Sequence, residues 1–385
     1  MKKLIRITTV PLSLEKLLED QGQFFRRYYT ITYISSQKER LKKVAEQQGV
    51  EHFSLDLTRK ITPWKDLKAL YRLFRFLQEN RPEIVHTHTP KAGIVGMLAA
   101  FLARVPLRIH TVAGLPLMEA KGMKKIILRF VERLTYRCAT NVFSNSKGLQ
   151  VYILEQRLTD AQKMTLIGQG SSNGIDTSHF QPQDKHSKKI QSLRATLGIN
   201  KEDFLFCFVG RLVSDKGINE LVVAFSQVHK HYPNTKLLLV GPEEADLDPL
   251  KLSTRNTIQT HPNIITTGFQ NDIRPYLTMA DAFVFPSYRE GFPNVVLQAG
   301  AMEVPCIVSD INGCNEIITN GETGRIVPPK DAQVLQMAME EFVQQPELIK
   351  QFANTNRQQI LAKFERKVFW HNLLHQYQSL EKKLS

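Results

Sequence analysis

The 385-residue chain lacks several features that would have fixed its class at once. Its four cysteines, Cys138, Cys207, Cys306 and Cys314, form no Cys-x-x-Cys pair. That spacing offers no framework for a zinc site or for disulfides, and reads as small buried thiols in a reducing compartment. Long apolar runs are missing too: the longest, IVGMLAAFLA at 94–103, is about half of what a membrane-spanning helix needs. The opening MKKLIRITTV has two lysines before an apolar stretch, but Arg6 interrupts it and no small-x-small cleavage site follows. A first β-strand is expected there rather than a signal peptide. Core material is not lacking: hydrophobic residues make up 42% of the chain, enough for two domains of ordinary size. No internal repeat or low-complexity segment is visible.

Acidic residues are scarce in one half only. Residues 1–180 carry 29 Lys+Arg against 15 Asp+Glu, whereas residues 181–385 carry 22 of each, so the whole net charge of +14 lies in the first half. A one-sided field of this kind points to an anionic partner, with a membrane surface, a phosphorylated acceptor and nucleic acid as candidates and the last not expected, or it serves solubility alone. Two stretches carry much of the excess. In WKDLKALYRLFRFLQEN, residues 64–80, Lys65, Lys68, Arg72 and Arg75 fall on one helical stripe, and Trp64, Leu67, Leu70, Tyr71, Phe74 and Leu77 form a broad apolar face. In KGMKKIILRFVERLTYR, residues 121–137, six basic residues face one acid, Glu132. Both fit amphipathic helices at an anionic membrane, and both fit core helices with a solvated basic face.

Short apolar or β-branched runs alternate with helix-length segments twice over. The first series is Leu4–Val10, Thr30–Ser35, Glu51–Leu55, Ile84–Thr87, Leu107–Val112, Asn141–Ser144 and Met164–Ile167. The polar segment GQGSSNGIDTSHFQPQDKHSKK, residues 168–189, breaks the pattern. A second series follows at Phe204–Val209, Lys236–Val240, Ile264–Thr267, Ala282–Phe285, Pro305–Val308 and Arg325–Val327. This predicts an α/β protein of two doubly wound, Rossmann-like domains facing a cleft, one over 1–180 and one over 181–365. The helical tail from about 366 to 385 is placed to pack back on the first domain.

The second half carries the chemistry. In FVGRLVSDKGINE, residues 208–220, a strand ends at Gly210, and Arg211 and Lys216 follow as a candidate diphosphate clamp, one bidentate and one a point charge. In REGFPNVVLQAGA, residues 289–301, Pro293 suits the first helical position. The amides of Asn294 and Val295 then belong to the unpaired first turn, a ready anion site. Glu290 lies before the helix, where a carboxylate can accept from two sugar hydroxyls. Gln298 lies about 7–8 Å along the axis, at ribose distance.

The segments GRLVSDKG, PSYREGFPNVVLQAGAMEVP and NGCNEIITNGETGRIV, with the link SNGIDTSHF, resemble the second domain of the family 4 retaining glycosyltransferases, which have the GT-B fold. HTHTPKAGIVGMLAA and RIHTVAGLPL resemble a bacterial subgroup that builds capsule, O-antigen or lipid-linked glycans. The resemblance spans nearly the whole chain. It implies that Arg211 and Lys216 neutralise the leaving diphosphate, that Glu290 holds the donor sugar, and that the Gly291, Phe292, Asn294 and Val295 backbone approaches sugar and phosphate. It implies further that position 298 holds the ribose, that Gly268 and Phe269 lie near the base, and that His110 faces the sugar from the first domain. The donor is expected to be a UDP-linked hexose or N-acetylhexosamine, and the acceptor a saccharide or a polyprenyl-diphosphate-linked saccharide. The expected place is the cytoplasm, at the inner face of the membrane.

Other residues are read beside these. His86 and His88 share one strand face, and with Lys91 they are expected on the acceptor side. Asp246-Leu247-Asp248 mimics the Asp-x-Asp of metal-dependent sugar transferases, but is read as part of an acidic surface loop away from the clamp. Because two cations and a helix start already supply neutralising charge, neither a metal nor a cofactor is expected. Two departures from the family stand out. The loop after the first strand, TTVPLSLEKLLEDQ, has no glycine before Gly22, and position 298 is Gln where the family carries Glu. Two rival readings stay open: a nucleotide-sugar 2-epimerase of the same fold, and a non-catalytic membrane- or nucleic-acid-binding scaffold.

Overall fold

The computed structural model describes residues 1–58, 62–118, 120–244 and 248–384. It divides into two compact units, Met1–Gly174 with Arg366–Ser385, and Ile175–Glu365. The division falls between Gly174 and Ile175, a few residues before the position read from the sequence. The tail from Arg366 belongs to unit 1.

Unit 1 is built on β1 (Lys3–Ile7), β2 (Thr30–Ser35), β3 (Glu51–Ser54), β4 (Ile84–Thr87), β5 (Leu107–Val112), β6 (Asn141–Ser144) and β7 (Met164–Leu166). They form one parallel sheet in the order β3-β2-β1-β4-β5-β6-β7. Unit 2 has β8 (Phe204–Val209), β9 (Thr235–Val240), β10 (Ile264–Thr266), β11 (Ala282–Phe285), β12 (Cys306–Ser309) and β13 (Gly324–Val327), in the order β10-β9-β8-β11-β12-β13. Each expected strand is present. β1 stops three residues earlier than its apolar run, because Thr8, Thr9 and Val10 turn away to start the next loop.

In both sheets the winding reverses once, between β1 and β4 in unit 1 and between β8 and β11 in unit 2. At such a switch point the connections leave in opposite directions and open a crevice beyond the strand ends, the usual ligand position in this architecture. The central strands are buried on both faces, as in FLFCFV of β8, which makes them continuous apolar runs rather than alternating ones.

The helix Arg366–Lys382 lies on unit 1 through Phe369, Trp370, Leu373, Leu374 and Tyr377, which share a core with Leu4, Phe25 and Ile84. The two basic helices are each buried along one side only. The helix Pro63–Asn80 buries Ala69, Leu73 and Leu77, while Trp64, Leu67 and Tyr71 are 85%, 56% and 60% exposed. The helix Gly122–Cys138 buries Glu132, Thr135 and Tyr136, while Met123, Ile126 and Phe130 stand in solvent. Both therefore expose much of their apolar surface to water, as a simple core helix with a solvated basic face would not. The four cysteines are buried and unpaired. Among the described residues no helix is long and apolar enough to cross a membrane.

Candidate active site

In unit 2 the two loops at the switch point are stitched together. Gly217 follows the β8 loop with φ of +70°, and a Cβ there would collide with the Pro286 carbonyl of the β11 loop, so only glycine permits this approach. Asp215 joins the loops from the other side. Its carbonyl accepts from the Tyr288 amide at 2.8 Å and the Ser287 hydroxyl at 3.3 Å, and its carboxylate pairs with Arg289 at 3.0 Å.

This stitching brings Lys216 and Glu290, far apart in sequence, into direct contact as an ion pair. Their side chains are only 14% and 17% exposed, so the pair is largely withdrawn from water. Ser287 Oγ also lies 3.1 Å from the same Glu290 oxygen, an alternative acceptor for its one proton. The buried Cys314 thiol is pushed well up, first by burial and then by the Glu290 charge. Arg211 lies at the exposed edge of the loop and donates to Glu244 at 2.9 Å.

The short helix Asn294–Ala301 begins beside this pair. Pro293 is its N-cap rather than its first helical residue, with φ −79° and ψ 103°, and no side chain caps the helix. The shift of one position leaves the amides of Asn294 and Val295 in the first turn, where helix geometry gives them no partner within the helix. The Gly291-Phe292-Pro293 turn rests on Gly313, whose φ of +78° and missing Cβ make room for the Gly291 carbonyl. Phe292 is buried against Phe364, with ring centroids 5.5 Å apart. Gln298 is half-buried on the same helix. Gly268 and the exposed Phe269 follow β10.

The acidic loop after β9 does not lie apart from the clamp, as its sequence suggested. The Asp248 carboxylate accepts the Asp215 amide at 2.6 Å and so braces the turn that carries Lys216, while Glu244 holds Arg211. Asp246 and Leu247 lie outside the described residues.

In unit 1 the three histidines are deeper than expected. His86, His88 and His110 are 1%, 4% and 3% exposed. Both His86 ring nitrogens are engaged, with the Tyr377 hydroxyl at 2.6 Å and the Thr111 hydroxyl at 2.7 Å, so this histidine is a tie within the core rather than an acceptor contact. His88 lies against it, with ring centroids 3.9 Å apart, and its Nε2 is buried without a hydrogen-bond partner among the described residues. Burial holds both well below the usual histidine range. His110 bonds Thr87 through Nδ1 at 2.7 Å and is held down to about 4 by burial, so it is neutral at neutral pH. Lys91 pairs with Asp66. In the glycine-free loop after β1, the Thr9 amide is taken by the Thr89 hydroxyl at 3.0 Å.

Sequence reasoning missed Arg6, which is fully buried. Its guanidinium donates to Gln21 Oε1 at 2.5 Å and to the Tyr377 hydroxyl at 3.2 Å, and lies over the Phe25 ring. The signal was present as a cation inside an apolar strand. Glu132 was likewise visible as the lone acid of a basic helix, but nothing local told that it would turn inward.

The glycosyl transferases group 1 model matches residues 189–359, and the glycosyl transferase 4-like domain matches residues 26–170. The chain is 32% identical over 383 residues to the capsular polysaccharide biosynthesis glycosyltransferase CapM of Staphylococcus aureus, covering 99% of this chain and 98% of that one. It is 30% identical over 278 residues to the Escherichia coli UDP-Gal:alpha-D-GlcNAc-diphosphoundecaprenol alpha-1,3-galactosyltransferase, covering 71% and 70%. The crystal structure of Anabaena HepE in complex with UDP and glucose superposes with a TM-score of 0.83 at 19% identity, covering 98% of this chain and all of that one, a likeness of fold. The chain belongs to the family 4, GT-B glycosyltransferases of bacterial surface glycan assembly.

Proposed function

We propose that this glycosyltransferase moves a hexose or N-acetylhexosamine from a UDP-sugar, with retention and without a metal, to a saccharide or polyprenyl-diphosphate-linked saccharide at the inner face of the cytoplasmic membrane. The observation that carries the donor half is the Lys216–Glu290 pair at the switch point of unit 2, beside an uncapped helix start. The two charges neutralise each other now. With a donor bound they part to complementary groups: the ammonium goes to the diphosphate, and the carboxylate accepts from sugar hydroxyls.

Chemistry follows from that placement. As the bond between the anomeric carbon and the diphosphate oxygen breaks, negative charge grows on the leaving group. Lys216, Arg211 and the Asn294 and Val295 amides stabilise that charge more in the transition state than in the bound donor. The departing phosphate oxygen takes the proton of the acceptor hydroxyl as the new bond forms on the same face. Glu290 orients the sugar. His110 keeps the sugar-orienting role that the resemblance implies, and its neutral ring suits hydrogen bonding rather than charge pairing. Gln298 accepts from the ribose, and Phe269 offers a flat apolar face for the base. The polyprenyl-linked acceptor is supported by the Escherichia coli relative, and the membrane contact by the exposed apolar and basic helices of unit 1.

Incubation with labelled UDP-sugars, a polyprenyl-diphospho-saccharide and a chelator tests the reading. Transfer with an α-linkage retained from donor to product supports it. Isomerisation without an acceptor would assign the chain to the epimerases, and binding without turnover would make it a scaffold.

A further inference from the structure

Unit 1 has its own switch point, between β1 and β4, with an ion pair of its own, Lys91 with Asp66, but this pair does not fill the crevice. Instead the crevice opens into a groove of about 740 Å³, within the range of roughly 300–1,000 Å³ that encloses a small ligand. Its near end is polar: Thr9 and Ser13 after β1, and Thr89 and Lys91 after β4. Its far part runs between the helices Pro63–Asn80, Pro90–Leu102 and Gly122–Cys138 and is apolar, lined by Leu67, Leu70, Ile94, Leu98, Ile127 and Val131. The start of the Pro90 helix also touches His110, since a Cβ at Gly93 would press on that ring.

The groove's surroundings say what would fill it. The helices on either side carry Lys65, Lys68, Arg72 and Arg75, and Lys124, Lys125, Arg129, Arg133 and Arg137. Unit 1 as a whole holds 33 Lys+Arg against 15 Asp+Glu. A second copy of so cationic a surface would be repelled, whereas an anionic amphiphile is attracted. The acids that line the groove are Asp66, already paired with Lys91 and bonded to Thr62, and the buried Glu132.

We infer that this groove seats the first part of the hydrocarbon chain of a single-chain lipid phosphate, with its phosphate at the Thr9, Thr89 and Lys91 end. This rests on the lipid-linked acceptor reading and sharpens it. The acceptor lipid is then held by the enzyme itself, not only by the bilayer, and each methylene that enters strengthens binding by roughly fourfold.

Calorimetry on the full chain without vesicles, with alkyl phosphates below their micelle concentrations, tests it. Dodecyl phosphate binds at least tenfold tighter than octyl phosphate. Leu67→Glu and Ile127→Glu, at positions already half exposed, each remove at least tenfold of the dodecyl phosphate affinity. UDP affinity, the readout of the donor site, stays unchanged in both, which shows that the fold is intact. Equal affinity for the two chain lengths, or indifference to both substitutions, overturns the assignment. So does a dimer that Leu67→Glu dissolves, which would give the groove to a second copy. Chain-length-dependent binding with no UDP affinity would keep the groove and remove the donor reading; UDP affinity with no alkyl phosphate binding would do the reverse.

Discussion

The two units share a topology and use it in opposite ways. Unit 2, with 18 Lys+Arg against 22 Asp+Glu, sets its charges at the strand ends as pairs: Lys216 with Glu290, Arg211 with Glu244, Arg289 with Asp215. Unit 1, far more cationic outside, also keeps ionisable groups inside: Arg6, His86, His88, His110 and Glu132. Edge charges can be redirected to a ligand at small structural cost, since water or the ligand replaces the partner. A buried charge cannot, because it would be left desolvated and alone. The paired charges of unit 2 are therefore the ones a ligand can take up, while the buried Arg6, His86 and Glu132 of unit 1 hold the shape of the domain.

The largest effect expected from that contrast lies at the unit 2 edge. Lys216→Ala, Glu290→Ala and Arg211→Ala each lower kcat by about 10²–10³-fold, the scale of losing one preorganised group that meets transition-state charge. The melting temperature moves little for Arg211→Ala and falls for Lys216→Ala and Glu290→Ala, each of which leaves a largely buried charge without its partner. Near-native turnover in all three, by radiolabel transfer at saturating donor, would break the comparison on its functional side.

Next comes the core of unit 1. Burial pushes the Glu132 carboxyl up to about 7, with the Tyr136 hydroxyl pulling the other way. The folded chain then holds this proton more tightly than the unfolded chain. The stability it lends is whole below about pH 4.5 and is lost as pH rises through about 7. The buried histidines act oppositely: lowered by burial, they lend stability above about 6.5 that is lost as pH falls, through about 4 for His110. Glu132→Gln removes only the first dependence. Measured by urea unfolding, the variant gains about 3 kcal/mol on the native chain between pH 4.5 and pH 8. A parallel pair of pH curves would mean that Glu132 is solvated.

A smaller effect is expected at Tyr377, whose hydroxyl bridges Arg6 and His86. Tyr377→Phe leaves two buried polar groups short of a partner and costs about 1–3 kcal/mol of stability, with UDP affinity unchanged. This tie also shows where the sequence stops being legible. The strands were readable because short apolar runs between helix-length segments are local facts. The candidate donor site could be placed at the strand ends because Arg211, Lys216 and Glu290 lie in loops whose neighbours, Gly217 and Pro293, announce the turn and the helix. By contrast, the partner of His86 is 291 residues away on the last helix, and no local pattern can pair them. The inward turn of Glu132 was hidden for a related reason, whereas an exposed apolar face on both helices is one of the two readings the sequence leaves open. A helix's apolar face is buried only if a neighbour covers it, and Trp64 and Phe130 remain exposed.

The smallest expected effect returns to the edge of unit 2, where the family's second Glu is Gln298. Its amide oxygen can accept a ribose hydroxyl as a neutral partner. Restoring the charge with Gln298→Glu strengthens that bond by about 1 kcal/mol. The ribose keeps the same contact in the ground and transition states, so the gain is uniform binding: KM for the donor falls several-fold and kcat stays nearly level. Steady-state rates over a range of UDP-sugar concentrations separate the two parameters. A large rise in kcat would instead mean that position 298 reaches the reacting bond, and that the charge at Glu290 is not the one that matters most.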